Sequence, residues 1–297
     1  MFDMLLGSGK MSNMSQEMSL NIQGRPFSYS AFSTWLSCGK RFELERLRGV
    51  QRIPAWYNVG GTVFHEWAEA YDRGEEPPPI KLMFIDAIWK TEEESGVERA
   101  HWYAGGKATK QNPDKESQAW WESNLPLMAD RYVEWRKQTG WTIWEPKEGV
   151  PAIELRIEFS LGDVKVKGFI DRGFVLKSGE LAVTDLKTGS RQPANNLQLG
   201  VYATGIQMVY GVRPSYGYYY MARKGEHTPV VKLNAFSAAA LEEMFRQFKL
   251  AVENEIFIPN LDGHCNQCGV RYACALGGGG EAARQHDKLA PLLEVPF

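Results

Sequence analysis

What this chain lacks narrows its functions first. No apolar run approaches the ~20 residues that a membrane-spanning helix requires. The opening stretch, Met1 to Gln23, is rich in Met, Ser and Gly, but it has no basic region followed by an apolar core and does not read as a secretory signal. Residues 1–25 are expected to form a poorly ordered tail. One-sided charge is also missing. The 34 Lys and Arg face 36 Asp and Glu, for a net charge of −2, so composition neither selects nor excludes a nucleic-acid partner. No internal repeat is visible, which sets solenoids aside. Hydrophobic residues make up 43%, too many for a disordered chain. The 297 residues can bury one large core or two small ones.

Cysteine is scarce. Cys38 stands alone, and Cys265, Cys268 and Cys274 fall close together near the other end. With nothing to suggest secretion, a cytosolic metal site is expected rather than two disulfides. Cys265-x-x-Cys268 lets one turn present two thiolates to one site, Cys274 adds a third, and Cys38 is the one cysteine left to supply a fourth. Such a site would staple the two ends of the domain together, closing a very long loop. Spacing alone suits zinc and iron–sulfur equally.

Local patterning predicts the elements. Pro26 to Val50 reads as a helix capped by Ser28 or Ser30. Asn58-Val59-Gly60-Gly61-Thr62 leads into a second helix, Val63 to Tyr71, and Pro77-Pro78-Pro79 breaks the chain. Residues 80–140 form a Trp-rich helical insertion with a loop from Gly105 to Glu116. From Pro151 the period becomes that of strands: Ile153 to Phe159, Val164 to Leu176 and Leu181 to Leu186. A helix follows over Gln198 to Tyr210, then an aromatic strand over Ser215 to Ala222 and a helix over Ala238 to Asn254. The fold class is α/β, a mixed central sheet at 151–222 flanked by helices. A single domain is expected over 26–276, with 277–297 a C-terminal tail.

The second and third strands are joined through Lys177-Ser178-Gly179, and glycine suits the left-handed position of a three-residue hairpin loop. Counting outward from Leu176 opposite Glu180, Asp171 comes to face Asp185. Lys187 shares the face of Asp185, because side chains alternate along a strand. Like charges facing each other in a sheet are destabilising. A divalent cation between them removes the conflict, and Mg²⁺ favours a few carboxylates with waters and phosphate oxygens. Such a metal activates water and polarises a phosphodiester, and Lys187 would position that water or offset developing charge. Asp-x-Lys alone is too common to mean anything. Its company makes it specific: Gly168-Phe169-Ile170-Asp171-Arg172 before it, Thr184-Asp185-Leu186-Lys187-Thr188-Gly189 around it, and Gln198 with Tyr202 on one helical face after it.

These segments resemble the PD-(D/E)XK nuclease superfamily in its RecB-like branch. The resemblance extends to His65 in Gly61-Thr62-Val63-Phe64-His65-Glu66. It implies that His65, Asp171, Asp185 and the carbonyl of Leu186 bind Mg²⁺ or Mn²⁺, that Lys187 is catalytic, and that Gln198 and Tyr202 support the site. A zinc-protease reading of His65-Glu66 fails, because the required second histidine is Glu69. Glu154, at the start of the first strand, is a further carboxylate, either ligand or structural. Ser28-Tyr29-Ser30 leading to Cys38, and Phe257-Ile258-Pro259-Asn260 leading to Cys265, Cys268 and Cys274, resemble the iron–sulfur exonucleases. These include the four-cysteine CRISPR-associated exonuclease and the AddB nuclease domain. That likeness implies a structural 4Fe-4S cluster, with Zn²⁺ the alternative. Gly39 departs from the family's usual proline after the first cysteine, which touches turn geometry rather than ligation.

The implied activity is a DNA exonuclease acting on single strands or strand ends, 5′ to 3′, in recombination, repair or phage DNA metabolism. Its setting would be the cytoplasm of a bacterial or phage-infected cell, with recombination or CRISPR-adaptation proteins as partners. Arg172, Arg191, Trp102 and Trp121 are candidate DNA contacts, since aromatic side chains can stack on unpaired bases. The tryptophans are expected mainly to build the core of the insertion. The competing class is a non-catalytic DNA-binding or CRISPR-adaptation assembly module with a structural Cys₄ site. The intact set His65, Asp171, Asp185 and Lys187 counts against it.

Overall fold

A computed structural model describes residues 26–110, 113–261 and 263–276. The two predicted tails lie outside the described residues. A short strand β1 (Phe27–Ser28) opens into α1 (Tyr29–Ser37), with Ser28 accepting from Ala31 N at 3.1 Å as the N-cap. The single helix expected from Pro26 to Val50 is broken at Cys38, which is extended (φ −164°, ψ 109°). It resumes as α2 (Gly39–Phe42) and a π-helical turn, Glu43–Leu47. Gly39 explains the break. Its N–H donates to Ile258 O at 2.8 Å, and a Cβ there would come within 2.6 Å of Ile258 N. Proline has neither the N–H nor the room.

Helix α3 (Trp56–Asp72) begins earlier than the glycine pair suggests. A Cβ on Gly60 would come within 2.1 Å of the Trp121 ring, so this glycine lets a large aromatic lie against the helix backbone. The insertion contributes α4 (Ile80–Ser95) and α5 (Gln118–Thr139), both packed on α3. After β2 (Thr142–Ile143), the antiparallel meander β3 (Ile153–Leu161), β4 (Val164–Val175) and β5 (Leu181–Lys187) forms the centre of the sheet. Helix α6 (Leu197–Tyr210) crosses over to β6 (Tyr216–Met221), which lies parallel to β5. Short strands β7 (Glu226–His227) and β8 (Val231–Lys232) pair with β6, and α7 (Ala238–Glu253) follows. The order β1-β4-β5-β6-β7, with β2 and β3 also paired to β4, is the mixed sheet expected.

Alternation along the strands feeds two hydrophobic cores, one per face. Leu186 and Tyr220 join Phe64, Phe84, Trp121 and Tyr132 of α3–α5. Val183 and Tyr219 join Phe32, Ile206, Phe245 and Phe248 of α1, α6 and α7. No helix among the described residues is long and apolar enough to cross a membrane.

Candidate active site

The hairpin register holds as counted. Leu176 N donates to Glu180 O at 2.9 Å, and the ladder runs Val175 to Leu181 through Arg172 to Thr184. It stops there, one step short of Asp171 and Asp185. Beyond that point the Asp171 carboxylate takes the place of a ladder carbonyl, its Oδ2 accepting from Leu186 N at 2.7 Å. The opposing acids therefore sit where two paired strands come apart.

Three further elements converge on this gap. From α3, His65 places Nε2 3.0 Å from Leu186 O and Nδ1 3.5 Å from Asp171 Oδ2. From β3, Glu154 approaches His65 Nδ1 at 3.9 Å. Glu154 lies level with Asp171, between the Ile153–Arg172 and Leu155–Ile170 pairs, and its φ is +45°. That backbone is costly for a residue with a Cβ. The ligand atoms of His65, Glu154 and Asp171 all lie within 4.8 Å of one another. The sequence left Glu154 between ligand and structure; the geometry groups it with His65 and Asp171 as a candidate ligand.

From α6, Gln198 straps Asp185 to the lysine. Its Nε2 donates to Asp185 Oδ1 at 2.6 Å, and its Oε1 accepts from Lys187 Nζ at 3.1 Å. Nε2 also donates to Tyr202 OH at 2.8 Å, so the two residues share a helical face and act together. Lys187 Nζ forms an ion pair with the buried Asp185 Oδ2 at 2.5 Å.

Charge in this site is strained. Burial, followed by the like charge of Asp171, pushes the Asp185 carboxyl up to about 7, against the pull of Lys187 and His65. Burial disfavours the charged forms of His65 and Lys187, but Asp171 and Glu154 raise the histidine and Asp185 raises the lysine. Lys187 is therefore held as an ammonium, a donor and charge stabiliser rather than a proton acceptor. A divalent cation fits this donor set. One imidazole nitrogen, several carboxylate oxygens and the Leu186 carbonyl meet at one gap, and the negative charges cannot relieve one another.

Behind the gap, Arg172 turns the opposite way. It is wholly buried, and its Nε donates to Asp72 Oδ2 at 2.6 Å. Tyr132 OH (2.5 Å) and Arg136 Nε (2.8 Å) donate to the same carboxylate. Arg172 Nη1 donates to Asp171 O at 2.5 Å and reaches Glu154 Oε1 at 3.4 Å. As a DNA contact, Arg172 is thus corrected to a buried scaffold under Asp171. Asp72, Tyr132 and Arg136 carried no sequence signal, because their partners are far apart in the chain. Trp102 and Trp121 are corrected too. Trp121 is fully buried, and Trp102 is buried against Trp56 with its Nε1 donating to Val97 O at 2.8 Å. Neither can stack on a base. Arg191 is exposed on the loop after β5.

Arg223, just after β6, is half enclosed. It donates to both oxygens of Glu116 in the insertion (2.6 and 3.0 Å), lies over the Trp120 ring at 4.5 Å, and donates to Thr188 O at 2.6 Å. It thereby ties the insertion to the residue after Lys187. At the far end, Cys38, Cys265, Cys268 and Cys274 are all free thiols lining one small cavity together with Arg41 and Arg271. Burial raises the Cys268 thiol, with Arg41 acting against it.

The comparisons with known proteins agree with this geometry. A family model described as the PD-(D/E)XK nuclease superfamily matches residues 26–275. The chain is 33% identical over 272 residues to the Gene 69 protein of Mycobacterium phage D29, covering 83% of this chain and 95% of that protein. It is 29% identical over 289 residues to the Gene 69 protein of Mycobacterium phage L5, with the same coverage. The match spans the splayed end of β4 and β5, and the chain belongs to the PD-(D/E)XK nuclease superfamily.

Proposed function

We propose that this chain is a metal-dependent DNA exonuclease of the RecB-like iron–sulfur branch, working on single strands or strand ends, 5′ to 3′, in phage DNA recombination or repair. The observation that carries the reading is the convergence of His65, Glu154 and Asp171 within 4.8 Å, beside Asp185 and a lysine held protonated. His65, Glu154, Asp171, Asp185 and the Leu186 carbonyl would hold Mg²⁺ or Mn²⁺, which supplies an activated water and polarises the phosphate. Lys187, aimed by Gln198, offsets charge building on the phosphate oxygens. Tyr202, wedged in the core, fixes Gln198. Arg172 holds the Asp171 backbone so that its carboxylate cannot drift.

The phage setting rests on the two mycobacteriophage relatives. The iron–sulfur assignment rests on four free thiols around one cavity, from segments more than 200 residues apart, and on the resemblance of their flanks. The test is degradation of 5′- and 3′-labelled single strands with Mn²⁺ by the wild type, Asp185→Ala and Lys187→Ala. Each variant should fall by on the order of 10³-fold, the scale of losing one stabilising group in a water-excluded site. Equal degradation by wild type and variants sinks the catalytic assignment. Anaerobically purified protein should be brown with broad visible absorption; colourless protein containing zinc overturns the cluster.

A further inference from the structure

One stripe of β4 is not used by the chemistry above. Val164, Val166 and Ile170 point into the core beneath α6 and α7. Lys165, Lys167 and Phe169 alternate with them and are exposed, Phe169 at 52%. Successive side chains on such a face stand ~6.6 Å apart, and the next position on it is Asp171. Phe169 lines the same open cleft, of about 600 Å³, as His65, Glu154 and Tyr57. The neighbouring strand β3 sets Arg156 opposite Phe169 and Glu158 opposite Lys167, and those two pair with each other at 2.6 Å. Short of the ligand group, the face therefore carries three cations against one carboxylate. A single exposed apolar residue is ordinary on a protein surface. Here it is an aromatic ring at the mouth of the ligand group, in line with two lysines.

We propose that this stripe is the track along which a single nucleic-acid strand reaches the metal site. Phe169 stacks on an unpaired base at the mouth of the cleft, and Lys167 and Lys165 hold the phosphates of the nucleotides leading up to it. Stacking is sequence-tolerant, because every base has a π-face, and the lysines read charge alone. Duplex DNA offers Phe169 no unpaired face, so the track selects single strands and frayed ends. This inference rests on the nuclease reading and deepens it.

The test is fluorescence anisotropy with a labelled oligothymidine and a duplex of equal length, with Ca²⁺ in place of Mn²⁺. Phe169→Ala should weaken single-strand binding about tenfold and Phe169→Trp should restore it, while duplex binding stays unchanged. The double variant Lys165→Gln/Lys167→Gln should reduce the slope of log affinity against log salt by about 1.4, two phosphates at ~0.7 each. Lys232→Gln, on the opposite part of the sheet, should not change it. Wild-type affinity and slope in the stripe variants, an equal loss on duplex, or an equal loss from Lys232→Gln each overturn the track. Hydrolysis of bis(p-nitrophenyl) phosphate by the wild-type chain with Mn²⁺ reads the chemistry separately. If it is absent while the stripe variants lose single-strand binding, the nuclease reading falls and the track stands. If it is present while the variants bind like wild type, the track alone falls.

Discussion

Asp171 and Arg172 are neighbours in sequence and opposites in environment. Asp171 faces a gap where β4 and β5 have parted and acidic oxygens crowd one another. Arg172 faces the helical layer, where Asp72 meets it at 2.6 Å and is itself held by Tyr132 and Arg136. One side of the strand concentrates unresolved like charge; the other neutralises charge at full burial. Functional groups need the first condition, because a site already satisfied has nothing left for a metal or substrate. The second keeps the first from relaxing. An arginine bonded to the Asp171 carbonyl and reaching Glu154 holds the strained strand in place.

Substitutions can separate the two sides. The largest effect is expected from Asp171→Asn, which should remove Mn²⁺-dependent DNA cleavage while the thermal melt stays at or above that of the wild type, since it removes one of two repelling charges. A melt that falls with activity would merge the two sides. Arg172→Met should do the reverse in kind. It removes one partner of a buried ion pair, so stability should drop by about 3 kcal/mol by urea denaturation. Activity per folded molecule should fall less than in Asp171→Asn.

A gentler probe is pH. With Asp185 pushed up to about 7, the carboxyl is protonated below that pH and must release its proton to receive a cation. The Mn²⁺ concentration for half-maximal cleavage should therefore fall by up to tenfold per unit as pH rises towards about 7, then flatten. A flat profile would remove the charge conflict from the account. The smallest expected effect is at the insertion. Arg223→Gln releases Glu116 and the Thr188 carbonyl, and should lower kcat roughly tenfold through misplacement of the segment after Lys187, with little change in the melt.

Much of the site was legible because it is local. Hairpin counting placed Asp171 level with Asp185, and the ladder kept that register. Helical spacing put Gln198 and Tyr202 on one face, and they bond to each other. Turn and period signals found β3 to β6, α6 and α7 within a residue or two. What failed was long-range. Cys38 breaks a helix that propensity would continue, because Gly39 must meet the backbone at Ile258. Helix α3 runs through a glycine pair because Trp121 needs the space. Trp102 and Trp121 are aromatic in a way the sequence could assign to DNA or to core, and packing assigned them to core.

By itself, then, the sequence determined that β4 pairs with β5, which face each acid takes and which residues share a helical surface, since these follow from periods of 2 and 3.6 and from one turn. Tertiary structure decided what those residues meet. His65 arrives from a helix more than 100 positions away, Glu154 is turned inward by an unusual φ, and Arg172 finds Asp72 across the sheet. Such pairings depend on where layers pack and where strands part, and no local pattern encodes that distance.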